Sequence, residues 1–250
     1  NAYPPISKGG INPSGELRIG LDLYANIRPA KNYKNVKSLS KSIDLIIVRE
    51  NTEGFYADRN MAEGNGEFSP VPGVGLALRK ITEKASTRIA KTAFEIASSR
   101  PRSIPKEPVV HSIHKANVMR LTDGIFLDAC KNVASHYKDI NYKEMLVDAC
   151  AAHIVRNPSQ FDVIVTTNMF GDILSDLATE LSGSLGLAGS LNAGDNYAMA
   201  QAQHGSAPDI AGKNIANPIS LILSTSMLLN WIGKKQKIKN LILASDLLDK

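Results

Sequence analysis

Asp172 and Asp176 stand four residues apart in VTTNMFGDILSDLATEL (165–181), just after a short apolar run. If that stretch is helical, positions i and i+4 lie one above the other, so both carboxylates reach the same ion. Left alone they repel by about 0.2–0.5 kcal/mol. A hard divalent cation, Mg²⁺ or Mn²⁺, reverses that sign, because it binds carboxylate oxygens and keeps positions open for a substrate. The plainer reading is a solvated acidic face whose first aspartate starts the helix. Arg18, Arg28 and Arg49 carry planar forks that grip carboxylates through paired hydrogen bonds. Together they suit a di- or tricarboxylate; singly, each reads as a surface or ion-pair arginine. Lys115, in HSIHKANVM (111–119), serves as a general acid or base only if charge or burial lowers its pKa. Tyr56 reads by itself as a packing residue after a strand. His111 and His114 are three apart on an extended segment and make a poor metal pair. HGSAPDIAGKNIANP (204–218) forms a Gly- and Pro-shaped turn that can approach a ligand closely. Asp209 within it offers a carboxylate to a ribose diol. No GxGxxG follows a strand, so this is not a Rossmann fingerprint.

The elements that would position these residues alternate. Strands are expected at 42–51, 107–117 and 161–166, and a further strand running into a helix at 142–158, ended by Asn157-Pro158. Helices are expected at 81–99, with Ile81, Ala85, Ile89, Ala93 and Ile96 on one side, and at 121–137 with Thr122 as N-cap. Others follow Gly171, read as the turn out of strand 161–166, and cover 218–233, with Pro218 at the first helical position, and 238–249. Residues 183–218 read as loop, and 59–75 as a surface loop or hairpin arm of a length usually tied to function or pairing. Alternating strands and helices predict an α/β architecture with helices covering a sheet.

Composition bounds the rest. The 250 residues carry 43% hydrophobic and 21% charged side chains, ordinary for a folded globular chain. The net charge of +5 is modest and scattered apart from IGKKQKIKN (232–240), which lacks aromatic interleaving. That argues against a nucleic-acid partner and suits a small anionic substrate. Cys130 and Cys150 fit a reducing, cytoplasmic setting rather than a disulfide framework. No 18-residue apolar stretch is present, so no membrane span is expected. The opening NAYPPISKGG lacks a charged segment followed by an apolar one and is not read as a signal peptide.

Six stretches, LDLYANIRP, VRENTEGFY, HKANVM, DACAAHIVRNP, NMFGDILSDLATELSGSLGLAGS and HGSAPDIAGKNIANP, resemble in order the signatures of the isocitrate/isopropylmalate dehydrogenase family, the NAD(P)-dependent β-decarboxylating dehydrogenases. The resemblance runs from about residue 12 to 233. It implies a two-domain α/β fold with an incomplete large domain: 1–27 and 182–250 from the large domain, and 28–181 as a small domain with a dimerisation arm at about 59–75. It also implies that LDLYANIRP is helical. The family's opening strand and GDGIGPE-like turn have no counterpart, nor has its closing segment, so a truncated chain is expected.

By resemblance, Arg18, Arg28 and Arg49 bind substrate carboxylates, with Asn12 and Ser14 sensing the substituent. Tyr56 protonates the enol and Lys115 assists removal of the hydroxyl proton. Asp148, Asp172 and Asp176 bind Mg²⁺ or Mn²⁺, with Lys115 and Asp148 delivered by the partner of a homodimer. Asn117 lies near the nicotinamide, and His204, Gly205, Ser206, Ala207, Asp209, Ile210 and Asn217 hold adenosine. A carboxylate at Asp209, followed by Ile210, favours NAD over NADP. Polar Asn12 and Ser14, with ENTEG (50–54), favour isocitrate. The alternatives are homoisocitrate, isopropylmalate, tartrate or malate as substrate, or a non-catalytic member inactive through truncation.

Overall fold

The apolar runs IDLIIV, VVHSI and VIVT lie side by side in one sheet. The computed structural model describes residues 12–55 and 66–249. Helix α1 (Pro13–Gly20) leads into β1 (Ala25–Lys31), which turns back into β2 (Asp44–Glu50). An exposed two-stranded hairpin, β3 (Glu67–Phe68) and β4 (Leu76–Ala77), precedes α2 (Glu83–Ser99). Then come β5 (Val109–His114), α3 (Arg120–Ala134), β6 (Asn141–Leu146), α4 (Val147–Arg156), β7 (Val163–Thr166) and α5 (Asn168–Ser182). Two short strands, β8 (Leu191–Ala193) and β9 (Ala198–Ala200), and helices α6 (Ile219–Gln236) and α7 (Lys239–Leu248) complete the order.

The sheet runs β6-β5-β7-β2-β1-β8-β9. Its β6, β5, β7 and β2 are parallel, and β1, β8 and β9 continue it antiparallel. Alternate residues of each strand face opposite sides, and the core divides accordingly. Val48, Val110, Val163 and Val165 pack with Ile89 and Phe94 of α2 and Phe126 of α3. Leu45, Ile47, Ile113 and Ile164 pack with Ile154 of α4 and Leu174 of α5. This is the expected helix-covered α/β sheet. The register aligns Arg49 with Thr166, Thr166 with Ile113, and His114 with Leu146. The exits of β2, β7, β5 and β6 therefore share one edge, where ligands of open α/β sheets bind.

Several local expectations change. LDLYANIRP is not helical: Ala25 to Lys31 is a strand paired along its length with β2, and over Ala25–Ile27 with β8. Pairing on both sides overrides local preference. Pro29 is tolerated because it lies beyond the stretch bonded to β8. Thr122 does not cap α3; the cap position is Met119, and the Thr122 hydroxyl accepts from Arg79 instead. Pro218 sits at the cap of α6 rather than its first position, and the Asn217 side chain accepts from the Ile219 N–H at 3.0 Å. The stretch 183–218 contains β8 and β9. Gly171 lies inside α5, which starts at Asn168, and its smallness serves a different purpose, described below. The boundary drawn at 27/28 falls within β1, and strands on both sides of it belong to one sheet. Residues 59–65 of the expected arm lie outside the described residues; the remainder includes the β3–β4 hairpin, which exposes Phe68, Val71 and Val74.

Candidate active site

Arg49, the last residue but one of β2, is almost fully buried, and its side chain runs under α5. Its Nε donates to Asn168 Oδ1 at 2.8 Å and its Nη1 pairs with Asp172. The approach needs a glycine at 171, because a Cβ there would lie 2.6 Å from Arg49 Cγ and 2.7 Å from its Cβ. Arg28, on the neighbouring β1, reaches the same helix. Its Nη1 donates to Asp172 Oδ1 at 3.1 Å, Ser175 Oγ at 2.7 Å and Asp176 Oδ1 at 3.3 Å. The two aspartates thus share a helix face, as their spacing predicts, and two buried guanidinium groups underlie them. Asp172 is the fifth residue of α5 and does not start the helix.

This donor set suits a hard cation. Both groups are carboxylates, and their side chains remain 39% and 51% exposed, which leaves oxygen lone pairs open above the arginines. No three His, Cys, Asp or Glu gather into a metal-holding group among the described residues. Asp148 therefore does not join Asp172 and Asp176 within one chain. It pairs with Lys115 instead, Nζ to Oδ1 at 2.5 Å. That hydrogen bond, first among the causes, pulls the exposed Asp148 carboxyl below its ordinary range. The Lys115 turn is held from beneath: its backbone N–H donates to buried Asp123 at 2.5 Å, and Asp123 pairs with Arg79 at 2.6 Å. Asn117 is exposed in the same turn.

His111 is fully buried against Phe161. Desolvation, then the charge of Lys143, pushes its pKa down to about 4, so it is a neutral core residue. His114 Nδ1 accepts from Ala116 at 3.1 Å and shapes the turn before Lys115. Neither is placed as a ligand.

Arg18 on α1 donates through Nη2 to Gln201 Oε1 at 3.0 Å, and Ser14 Oγ donates to the same oxygen at 2.9 Å. Asn12 caps α1, accepting from Gly15 N–H at 3.2 Å. Tyr56 lies outside the described residues. Between β9 and α6 the chain encloses a cleft of about 590 Å³ lined in part by His204, Gly205, Ser206, Ala207, Ile210 and Asn217. That volume is within the range of small-molecule sites. Ala207 holds a left-handed φ of +43°, an uncommon strain for a residue with a Cβ. Asp209 is exposed on the same turn and does not itself line the cleft. A larger cavity of about 860 Å³ lies on the other face of β1, along Ala25, Ile27 and Pro29, away from Arg28 and the aspartates.

Sequence reasoning missed Asn168, Ser175, Gln201 and Gln203. Ser175 had a usable signal, since it lies three residues past Asp172 on the same helix face. The glutamines had a weaker one, two apart just before His204.

Residues 5–246 match the family model described as isocitrate/isopropylmalate dehydrogenase. The chain is 48% identical over 231 residues to the isocitrate/homoisocitrate dehydrogenase of Thermus thermophilus, covering 92% of this chain and 65% of that protein. It is 45% identical over 245 residues to the 3-isopropylmalate dehydrogenase of Saccharolobus solfataricus, covering 98% and 68%. The structure of isocitrate dehydrogenase from Methylococcus capsulatus superposes with a TM-score of 0.81 at 40% identity, covering 92% of this chain and 66% of that one. The chain thus spans about two thirds of the length of such relatives. With the six ordered stretches and the two-arginine, two-aspartate cluster at one sheet edge, these matches show that the chain belongs to the isocitrate/isopropylmalate dehydrogenase family.

Proposed function

We propose that the complete protein oxidises and decarboxylates a 3-substituted malate, isocitrate first among them, using NAD and Mg²⁺ or Mn²⁺. The observation that carries this reading is the convergence of buried Arg28 and Arg49 on the half-exposed Asp172 and Asp176. Arg18, Arg28 and Arg49 bind the substrate carboxylates through charge-assisted hydrogen bonds. Asp172 and Asp176 hold the cation, which when bound acidifies the substrate hydroxyl and steadies the charge left as CO₂ departs. Lys115 would receive the proton from the hydroxyl oxygen and Tyr56 would return a proton to the carbon that has lost CO₂; bound NAD would supply the acceptor for the hydride of the hydroxyl-bearing carbon. His204 to Ala207, Ile210 and Asn217 hold the adenosine half of NAD in their cleft, with Asp209 accepting from the ribose hydroxyls and Asn117 beside the nicotinamide.

The active assembly in this reading is a homodimer with shared sites. Lys115 and Asp148 are 26% and 65% exposed, and among the described residues Asp148 forms no metal-holding group with Asp172 and Asp176, which supports its serving a second copy's site. The apolar side chains on the β3–β4 hairpin support the same pairing, since an isolated hairpin is marginal in water. The reducing, cytoplasmic setting belongs to this proposal too, both cysteines being free and buried; among the described residues no helix is long and apolar enough to cross a membrane.

Isocitrate is preferred because Ser14 places its hydroxyl beside Arg18 on Gln201 Oε1, a polar neighbour for the substituent. Relatives named for isocitrate, homoisocitrate and isopropylmalate make the substituent the point to test. NADH absorbance with Mn²⁺ and each of those three substrates should show the highest kcat/KM for isocitrate. Isopropylmalate in first place would overturn the substrate choice, and no NADH from any of the three would overturn the activity.

A further inference from the structure

Gln203 stands where two sites meet. Its Nε2 donates to Asp176 Oδ1 at 2.9 Å and to Thr179 Oγ1 at 3.3 Å. The reverse orientation of the amide would set two acceptors against each other, so the assignment follows from chemistry. The amide oxygen is buried and has no hydrogen-bond partner among the described residues. The backbone N–H of Gln203 donates to Ser220 Oγ at 3.2 Å, and that hydroxyl donates to Ala188 O at 2.6 Å, which pins the residue to the first turn of α6. The next residue, His204, begins the lining of the nucleotide cleft.

We propose that Gln203 is a positioning residue that couples cation binding at Asp172 and Asp176 to nucleotide binding in the 204–217 cleft. The inference rests on the cation reading of those aspartates. Asp176 Oδ1 already receives Gln203 and Arg28. A cation drawing on that oxygen competes with both donors and releases the Gln203 amide. The terminal torsion of glutamine is broad and roughly two-fold, so the amide can turn over. Its unpartnered oxygen, a hard neutral donor of the kind divalent cations accept, then faces the cation or a water on it. With the bond to Asp176 gone, Gln203 keeps its backbone anchor at Ser220 but loses its side-chain anchor on α5, so the adjoining His204 at the cleft is held less tightly when the cation is bound. Linkage makes the effect reciprocal: whatever the cation does to nucleotide affinity, the nucleotide does to cation affinity.

The test uses the full-length protein without substrate. Mn²⁺ affinity is read from the electron spin resonance of free Mn²⁺, and NADH affinity from its fluorescence, each with and without the other ligand. Wild type should show a coupling factor of at least about fivefold, equal from both directions. Gln203→Met keeps length and packing but loses both amide groups, and should bring the factor below about twofold. Its NADH affinity without Mn²⁺ should stay within about threefold of wild type. Should the Met variant melt early, Gln203→Leu carries the same comparison. A factor unchanged by the substitution, or a wild-type factor of one, overturns the coupling. If Asp176→Asn leaves Mn²⁺ affinity untouched, the cation reading beneath it falls as well. If Asp176→Asn weakens Mn²⁺ while Gln203→Met keeps the factor, only the coupling falls.

Discussion

Replacing Gly171 with alanine isolates what holds the arginine–aspartate cluster together. A new Cβ would meet Arg49 Cγ at 2.6 Å, Cβ at 2.7 Å and Cδ at 3.2 Å. Comfortable carbon contacts lie near 3.5–4.0 Å, so α5 and β2 must part by about 1 Å. Arg49 cannot simply swing away. The clashing atoms are the root of its side chain, and its far end is fixed by Asn168 and Asp172. Overpacking of this kind costs about 1–3 kcal/mol, while alanine gains about 0.8–1 kcal/mol of helix propensity over glycine. The net expectation is a loss of about 0–2 kcal/mol. Gly124 provides the control, because it lies in helix α3 and a Cβ added there would meet nothing within 4 Å among the described residues. Gly124→Ala should raise stability by up to about 1 kcal/mol. Denaturant unfolding of both variants gives the comparison. Displacement of the Arg49–Asp172 pair should also weaken Mn²⁺ binding and, since misplacement by about 1 Å can cost about 100-fold in rate, turnover. A Gly171→Ala protein as stable as Gly124→Ala, with unchanged Mn²⁺ affinity, would refute the close approach of Arg49 as the reason for glycine here.

Asp172→Asn should abolish most metal-dependent turnover and lower stability by about 1–2 kcal/mol, because it strips a half-exposed partner from two buried arginines; relief of repulsion from Asp176 alone would predict the opposite sign in the same melt. Glu53 is buried and its carboxylate accepts from Thr82, the cap of α2. Burial raises its pKa from 4.5 to about 7, so the native state holds a proton that the unfolded state has lost. Its contribution is full below about pH 4.5 and lost as pH rises through about 7. Denaturation midpoints between about pH 5 and pH 8 should therefore flatten in Glu53→Gln, and an unchanged slope would count against Glu53 as the titrating group. Asp209→Lys should move cofactor preference from NAD toward NADP; a native preference for NAD of about 100-fold in kcat/KM corresponds to roughly 2.7 kcal/mol, and equal use of both by the native protein would place Asp209 away from the ribose.

The parts legible in the sequence were those written in short-range periodicity. The four-residue spacing of Asp172 and Asp176 put them on one helix face, the apolar side formed by Ile81, Ala85, Ile89, Ala93 and Ile96 marked α2, and the stop at Asn157-Pro158 bounded α4. What stayed hidden joins residues far apart in the chain. β1 is a strand because β2 and β8 flank it, and Gly171 is needed because Arg49, 122 positions earlier by their numbers, passes beneath it. Gln203 meets Asp176 only once β9 has joined the sheet.

A second acid–arginine cluster shows why residue type alone does not mark chemistry. At the opposite edge of the sheet, where β2 starts and just before β7, Asp44 and Asp162 bind Arg100 and Arg102. Lys106 Nζ donates to the Phe161 carbonyl at 2.7 Å, and burial lowers its pKa. The composition matches that of the cluster at the exit edge, two aspartates and two arginines. The difference is solvent. Asp44 and Asp162 are 3% and 0% exposed, and their oxygens are taken up by guanidinium groups and by the N–H groups of Ser103, Ile104 and Val109. A ligand could reach them only by dismantling those bonds, so this cluster clamps the strand starts. Asp172 and Asp176 have their arginines on one side and water on the other. The same charges at the exit edge thus keep oxygens open to solvent, and the proposed cation and substrate would bind there because ligands of open α/β sheets lie outside the carboxyl ends of the parallel strands.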